Sequence, residues 1–519
     1  MTTYDSMDSR NLILLTNCEI YTKNPTIAGC NNILIAGNKI SDIFYAPPGK
    51  HTVPERCIEI DCFRNLVIPG INDAHIHLLS SAAVMNQHSM HSIHPKDYDM
   101  IAKTLAFIKT KHNQSEWIGA YGLDDRFFLD QNFDSQWLDK FAVNEPVFIS
   151  NETGHAIILN SKAMQMLHIS QTDDSLLHGV MDVAGNGELT GKFFDLNSAI
   201  FHKINAFTNQ FNADNNLPKL FTKLHQKGIT SVQDAGHNNK IDKLQRLSLI
   251  TDVNAIRIGL MIGCNIQNIN DLASIHQEID TNMVKFIGLK IMLSEATGDY
   301  LPAKSELEYL VKLSNSKNFR VAVHAVEEQA IDMTLDVFSS AHKFYPDIIN
   351  RIEHCSEYTE SVIEKAKTIP FYSVTQPGFI LHRGDYYIEA HPKDKHNDLY
   401  PLRTMQETSH VLAFSSDSPV IPPNPWDGFI SAQSRNTLRG NQLGTSNERL
   451  TFNEIVDCYT TNGAIVEGSQ DIKGTLAVGL LADLAILDPS CIGRSNPTLL
   501  TILNGNIVWD SEALVLTLH

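Results

Sequence analysis

The sequence predicts an α/β protein, a (β/α)8 barrel joined to a small β domain that both chain ends build. Two observations predict it. Short apolar, β-type runs alternate with helical patterns at intervals of about 30 residues through the middle of the chain, the rhythm of repeated βα units. Both ends are instead rich in short strands punctuated by Gly, Asn and Pro. The chain opens with β-like runs at Asn11 to Tyr21, Asn32 to Ile43 and Cys57 to Ile60. The run Leu66-Val67-Ile68 then leads into Pro69-Gly70-Ile71-Asn72-Asp73-Ala74-His75-Ile76-His77 and is the predicted first barrel strand, with Pro69 and Gly70 ending its regular pairing. From His77 to Gly228 is 151 positions, far more than one unit needs, so an insertion with its own structure is expected at about residues 115–205.

Barrel strands 2, 3 and 4 are predicted at Gly228 to Val232, Arg257 to Ile262 and Leu289 to Leu293. His324, ending Arg320-Val321-Ala322-Val323-His324, follows Lys290 by 34 positions, and His354, ending Arg351-Ile352-Glu353-His354, follows His324 by 30, which fits strands 5 and 6. Phe371 to Thr375 supplies strand 7 and Val411 to Asp417 strand 8. Helices are expected over Leu217 to Lys227, Ser305 to Ser316 and Glu328 to His342, where apolar residues recur at helical spacing. The β texture returns in Gly474 to Gly479, Ala482 to Leu487 and Leu499 to Trp509, and the two ends are expected to share one sheet. The predicted divisions are 1–66, 67–470 and 471–519.

Composition narrows the function classes. The 43% apolar content and mean hydropathy of −0.15 are those of a globular protein, and no apolar run approaches the roughly 20 residues that cross a bilayer. A formal charge of −18 disfavours nucleic acid and anionic membranes as partners, since both require a clustered basic face. Met1 to Ser6 carry no basic segment ahead of an apolar one, so the expected location is the cytoplasm. The eight cysteines form no Cys-x-x-Cys pair and are expected to be reduced.

The candidate chemistry lies at the predicted strand ends. His75 and His77 are one residue apart, so a strand presents both imidazoles on one side, and Asp73 is placed to accept a ring N–H and fix its tautomer. Lys290, His324, His354 and Asp417 fall at the C-terminal ends of their strands, the rim where barrel sites form. A single histidine at a strand end is ordinarily satisfied by backbone, and a single lysine is ordinarily solvated. Six such residues on one rim call for a joint explanation, and nitrogen and carboxylate donors suit Zn²⁺ or a similar ion better than Ca²⁺ or Mg²⁺.

These residues resemble the amidohydrolase superfamily, with His-x-His on strand 1, Lys on strand 4, His on strands 5 and 6 and Asp on strand 8. The resemblance extends to the branch containing N-substituted formamide deformylase. It is carried by Gly154-His155 with Asn160-Ser161, Gly228 to Val232, Val323-His324-Ala325, Arg351 to His354, Gln376-Pro377, Tyr400-Pro401-Leu402-Arg403 and Ser416-Asp417-Ser418-Pro419-Val420. Lys473-Gly474-Thr475-Leu476 and Leu481-Ala482-Asp483-Leu484 are similar to the family's return into a terminal β-sandwich.

The resemblance implies a site for one or two divalent ions, held by His75, His77, His324, His354 and Asp417. Lys290 would serve either as a carbamate formed with CO₂ or as a plain lysine paired with an acid such as Glu295. The branch's Thr-Gly-x-Leu-x-Glu segment reads Thr190-Gly191-Lys192-Phe193-Phe194-Asp195 here, leaving Asp195 as a metal ligand or a capping residue. Ile291 to Glu295 also departs from the branch's Asp-Gly after strand 4. His155, Gln376 and Arg403 are candidate substrate contacts, each with a packing or pairing role as its alternative, and Trp117, Phe379 and Trp426 are candidate pocket or core aromatics.

The implied activity is metal-assisted hydrolysis of a non-peptide C–N bond in an N-acyl or N-formyl small molecule, Asp417 acting as base and then acid. Deamination or cyclic amide hydrolysis on the same site, and a catalytically inactive metal-binding scaffold, are the other readings. The sequence leaves the oligomeric state open, with a homodimer as the candidate assembly, symmetric dimers being the commonest among soluble enzymes.

Overall fold

The computed structural model describes residues 12–519 apart from 48, 92, 94–96, 112–115, 153, 174–178, 251–254, 280, 282, 297–298 and 494–495. The expectation read from Met1 to Ser6 lies outside the described residues. The chain forms two compact units. One contains the residues up to His77, Phe221–Asp417 and Pro422–His519, and the other Leu78–Leu220 with Ser418–Ile421.

Eight parallel strands in chain order make up the barrel of the first unit: Ile71–Ile76, Ile229–Asp234, Arg257–Gly263, Val284–Met292, Val321–Ala325, Arg351–His354, Tyr372–Thr375 and Val411–Phe414. Each pairs only with its neighbours in sequence order, as successive βα units require. The end of strand 8 is tied back to strand 1. The Asp417 backbone N–H donates to the His75 carbonyl at 2.8 Å, and Ser416 donates from its backbone N–H (2.9 Å) and hydroxyl (2.5 Å) to the Asp73 carboxylate. Around the barrel, helix Glu328–His342 buries Ala330, Ile331, Thr334, Leu335, Val337, Phe338 and Ala341, a stripe at helical spacing. The other two predicted helices are found at Ala213–His225 and Lys304–Ser316.

The first barrel strand differs from the sequence reading. Leu66–Pro69 pairs with Leu484–Leu487 in the β domain, and the barrel strand begins after Gly70. Pro69-Gly70 is therefore the hand-over between two sheets. Gly70 is required there by space, because a Cβ would lie 2.1 Å from Thr230 Oγ1 on strand 2. Its N–H donates to the Asp483 carbonyl, and Asp483 in turn holds Arg257 of strand 3 at 2.5 and 2.9 Å, joining the β domain to the barrel.

The chain ends build the expected composite sandwich, its two sheets each drawing on both ends in place of the single shared sheet read from the β texture alone. Val515–Leu518, Cys57–Asp61, Leu12–Thr16, Asn32–Ala36 and Lys39–Phe44 form one, and Glu19–Ile20, Leu66–Pro69, Leu484–Leu487, Thr498–Leu503 and Asn506–Asp510 the other. Ile13, Leu15, Ile33, Ile35 and Ile60 of the first pack with Val67, Leu484, Ile486, Leu500 and Ile502 of the second in one core, making a composite β-sandwich. Gly474 to Gly479 forms turns, not a strand, since both glycines have left-handed backbone (φ 95° and 90°), and its apolar appearance reflects a buried Leu476. All eight cysteines are free.

The second unit has a six-stranded sheet in the order Val180–Val183, Leu189–Phe194, Ala156–Leu159, Val147–Asn151, Ile118–Leu123 and His88–Ser89. Alternate residues serve opposite faces, as strand geometry requires. Val147, Ile149, Ala156 and Ile158 enter one core with Ile101, Leu105 and Phe133, while Phe148, Ile157, Leu159 and Phe193 enter another with Ile200 and Ile204. Among the described residues no helix is long and apolar enough to cross a membrane.

Candidate metal centre

Strand 1 carries His75 at its end and His77 just beyond it, and the turn after strand 8 brings Asp417 against both. Asp417 Oδ1 lies 3.5 Å from His75 Nε2 and 3.2 Å from His77 Nε2, and one donor atom from each residue fits within 4.8 Å of the others. His354, ending strand 6, adds Nδ1 at 3.9 Å from Asp417 Oδ2, and its ring centroid is 4.9 Å from that of His75 and 4.4 Å from that of His324 on strand 5. His354 and Asp417 both hold left-handed backbone, with φ of 76° and 58°. Non-glycine residues adopt that conformation at a cost, and such strain persists where the surroundings dictate a side chain's direction.

Burial sets the electrostatics. His75 is driven down to about 3, first by burial and then by the nearby Lys290 charge, so its ring is neutral and has a lone pair to offer. His324 and His354 are likewise pushed down by burial. For Asp417 burial works upward, but the surrounding His77, His75 and His354 outweigh it and hold the carboxyl below its ordinary range, ionised. Lys290 is lowered to about 8, mainly by burial, so that it is still largely protonated near neutral pH but loses its proton far more readily than an ordinary lysine.

Three buried polar atoms here have no hydrogen-bond partner: His75 Nε2, Lys290 Nζ and Asp417 Oδ1. Orphaned polar atoms in a protein interior are costly, and a cluster of them calls for a ligand. Two imidazoles, an ionised carboxylate and an amine that can become a carbamate are the donor set of a divalent ion. The residues fit a metal.

The supporting groups differ in part from the sequence reading. Asp73 accepts from the His75 backbone N–H (3.4 Å) and from Ser416, while the His75 ring nitrogen Nδ1 is 2.5 Å from Glu353 Oε2. Glu353 therefore sets the tautomer assigned to Asp73. It is fully buried and clamped by the Nε and Nη2 groups along one edge of the Arg351 guanidinium, which also donates from Nη2 to the Ala74 carbonyl at 2.8 Å and from Nη1 to Gln233 Oε1 at 2.6 Å. Its signal in the sequence was a carboxylate two residues from an arginine on a single strand, and nothing local points to a partner 278 residues away. The Glu295 alternative for Lys290 is not found, because Glu295 is exposed on the hairpin of Ser294–Ala296 with Asp299–Leu301 while Lys290 is buried.

Gln376 spends both ends of its amide, accepting from His354 Nδ1 at 2.9 Å and donating to Ser415 Oγ at 3.0 Å. Arg403 grips Glu454 at 2.5 and 2.8 Å and reaches the Arg449 carbonyl. In the second unit, His155 and Asp195 are exposed and pair with each other at 2.8 Å. Trp117, Phe379 and Trp426 are buried in packing.

The amidohydrolase family model matches residues 59–509, which takes in the barrel, the second unit and, of the sandwich, chiefly the strands Leu66–Pro69, Leu484–Leu487, Thr498–Leu503 and Asn506–Asp510. The chain belongs to the amidohydrolase family. Among its curated relatives are N-substituted formamide deformylase of Arthrobacter pascens, 20% identical over 92% of this chain and 93% of that one, and Protein LONG AFTER FAR-RED 3 of Arabidopsis thaliana, 22% identical over 92% and 87%. Of solved structures, an uncharacterized metal-dependent hydrolase from Pyrococcus horikoshii OT3 superimposes with a TM-score of 0.68 at 20% identity, over 93% of this chain and 99% of that one. The fold is thus shared over nearly the whole length.

Proposed function

We propose that this protein is a metal-dependent hydrolase that cleaves a non-peptide C–N bond in an N-acyl or N-formyl small molecule. The observation that carries the reading is the meeting of His75, His77 and an ionised Asp417 around orphaned buried atoms. The A. pascens relative, named as a deformylase of N-substituted formamides, supports the N-formyl class.

His75, His77 and Asp417 would hold one divalent ion, Zn²⁺ by the nature of the donors, with His324 and His354 offering a second position. Bound there, the ion supplies Lewis acidity, lowering the pKa of a coordinated water and polarising the scissile carbonyl. Asp417, ionised and placed between the imidazoles, takes the proton of the attacking water and returns it to the departing nitrogen. The products are the carboxylic acid and the amine. Lys290, its deprotonated amine adding CO₂ with loss of a proton, would become an anionic carbamate and offer two oxygen donors to the ions held here.

The test is release of formate and free amine from N-formyl amines, and of acid and amine from N-acyl amines, by protein before and after chelation. Hydrolysis lost on chelation and restored by Zn²⁺ is expected. Hydrolysis that survives complete metal removal would contradict the reading.

A further inference from the structure

Two histidines of this rim, His75 and His354, are held by unlike partners. A carboxylate and an amide oxygen can only accept, so Nδ1 carries the hydrogen in both His75 and His354, and Nε2 of each neutral ring is left with a lone pair to offer a cation. For His75 the acceptor is the Glu353 carboxylate at 2.5 Å; for His354 it is the neutral Gln376 amide at 2.9 Å, whose other end is spent on Ser415. Glu353 and Gln376 are both 0% exposed, so water dilutes neither contact.

A carboxylate that accepts an imidazole N–H builds negative charge onto the ring and strengthens its far nitrogen as a ligand, more than an amide does. Arg351 does not cancel this, for it approaches Glu353 from strand 6 itself and keeps the carboxylate ionised and fixed, with its remaining N–H groups on Ala74 and Gln233. Gln233 is held in turn by Asn72 Oδ1 at 3.1 Å and the Gly463 carbonyl at 2.9 Å. The ligand side differs in degree: His75 shares its corner with His77 and the Asp417 carboxylate within 4.8 Å, whereas His354, its ring centroid 4.4 Å from that of His324, has Asp417 only at 3.9 Å from its Nδ1.

We propose that Glu353, clamped by Arg351, is a positioning residue that makes the His75–His77–Asp417 corner the tighter of two cation positions on this rim. The His324–His354 position, backed by Gln376, is the weaker. This rests on the metal reading above and adds an order of occupancy to it.

The test is equilibrium titration of the metal-free full-length protein with Zn²⁺ against a chromophoric chelator, repeated for Glu353→Gln and for Gln376→Glu. Wild type is expected to fill two unequal positions. Glu353→Gln should weaken the tighter step by roughly 10- to 100-fold and spare the weaker, while Gln376→Glu should tighten the weaker step by a similar factor. Gln376→Glu leaves the Arg351–Glu353 pair intact, so it decides the matter if Glu353→Gln does not fold. Two equal steps in wild type, or a Gln376→Glu protein whose weaker step is unmoved, would overturn the proposal while leaving the metal reading in place. A wild-type protein that takes up no Zn²⁺ at all would overturn both.

Discussion

At Asp417 two effects oppose each other, burial favouring the protonated acid and, foremost, the contact with His77 favouring the carboxylate, and the carboxylate prevails. An ionised carboxylate with one oxygen lacking a partner can move a proton as well as hold a cation. Asp417→Asn keeps an oxygen donor but no base, so kcat should fall by roughly 10²- to 10⁴-fold while most bound metal remains, as steady-state kinetics and metal analysis on the same sample will show. His324→Ala removes a ring from the second position and should lower bound metal per chain. At this scale the sequence was informative where a ligand type recurred at strand ends, as for His75, His77, Lys290, His324, His354 and Asp417. It was silent where a role depends on a contact made by folding. Glu353 was visible inside the motif Arg351 to His354, yet its partner His75 lies on a different strand, and Asp73, one turn of the pattern from two histidines, is taken up by Ser416.

Single elements carry their own tests. Gly70 passes the chain from the sandwich strand Leu66–Pro69 to the barrel strand Ile71–Ile76 at a point where Thr230 leaves no room for a Cβ. Gly70→Ala should cost about 1–3 kcal/mol, read as a lower denaturation midpoint. The sequence showed a break at Pro69-Gly70, but a break between strands of two sheets looks locally like the end of one strand. Arg403 and Glu454 join helix Leu402–Thr408 to helix Phe452–Tyr459, where Glu454 also completes a capping box with Thr451. The Arg403 hydrogen bond, opposed by burial and helped by Thr451, lowers Glu454 from 4.5 to about 2. A folded-state pKa below the unfolded one adds stability above the unfolded value and loses it as pH falls towards the folded value. Wild type should therefore be more stable than Glu454→Gln at pH 6, and the difference should shrink between about pH 4.5 and 2. A difference constant across that range would show that the carboxylate charge has no part in it.

Across the whole chain, the barrel was the most legible feature because each βα unit repeats a local pattern at a nearly fixed interval, and strand-end residues count the units. The terminal domain was less so. Its strands were recognisable one by one, but whether Leu12–Thr16 and Leu484–Leu487 share a sheet or face each other is decided by a core assembled from residues hundreds of positions apart. Left-handed backbone at Gly474 and Gly479 overrode an apolar run that reads as a strand. An ion bound only by the folded chain also stabilises it, so stripping the metal should lower the melting temperature and restoring Zn²⁺ should recover it. The central claim, a metal-dependent hydrolase, is tested most directly by metal content per chain on protein purified without chelator, with hydrolysis of N-formyl and N-acyl amines assayed on the same sample before and after metal removal. The account predicts retained divalent metal, hydrolysis that disappears with it and returns with Zn²⁺. Protein without bound metal that gains no activity from added Zn²⁺ would contradict it.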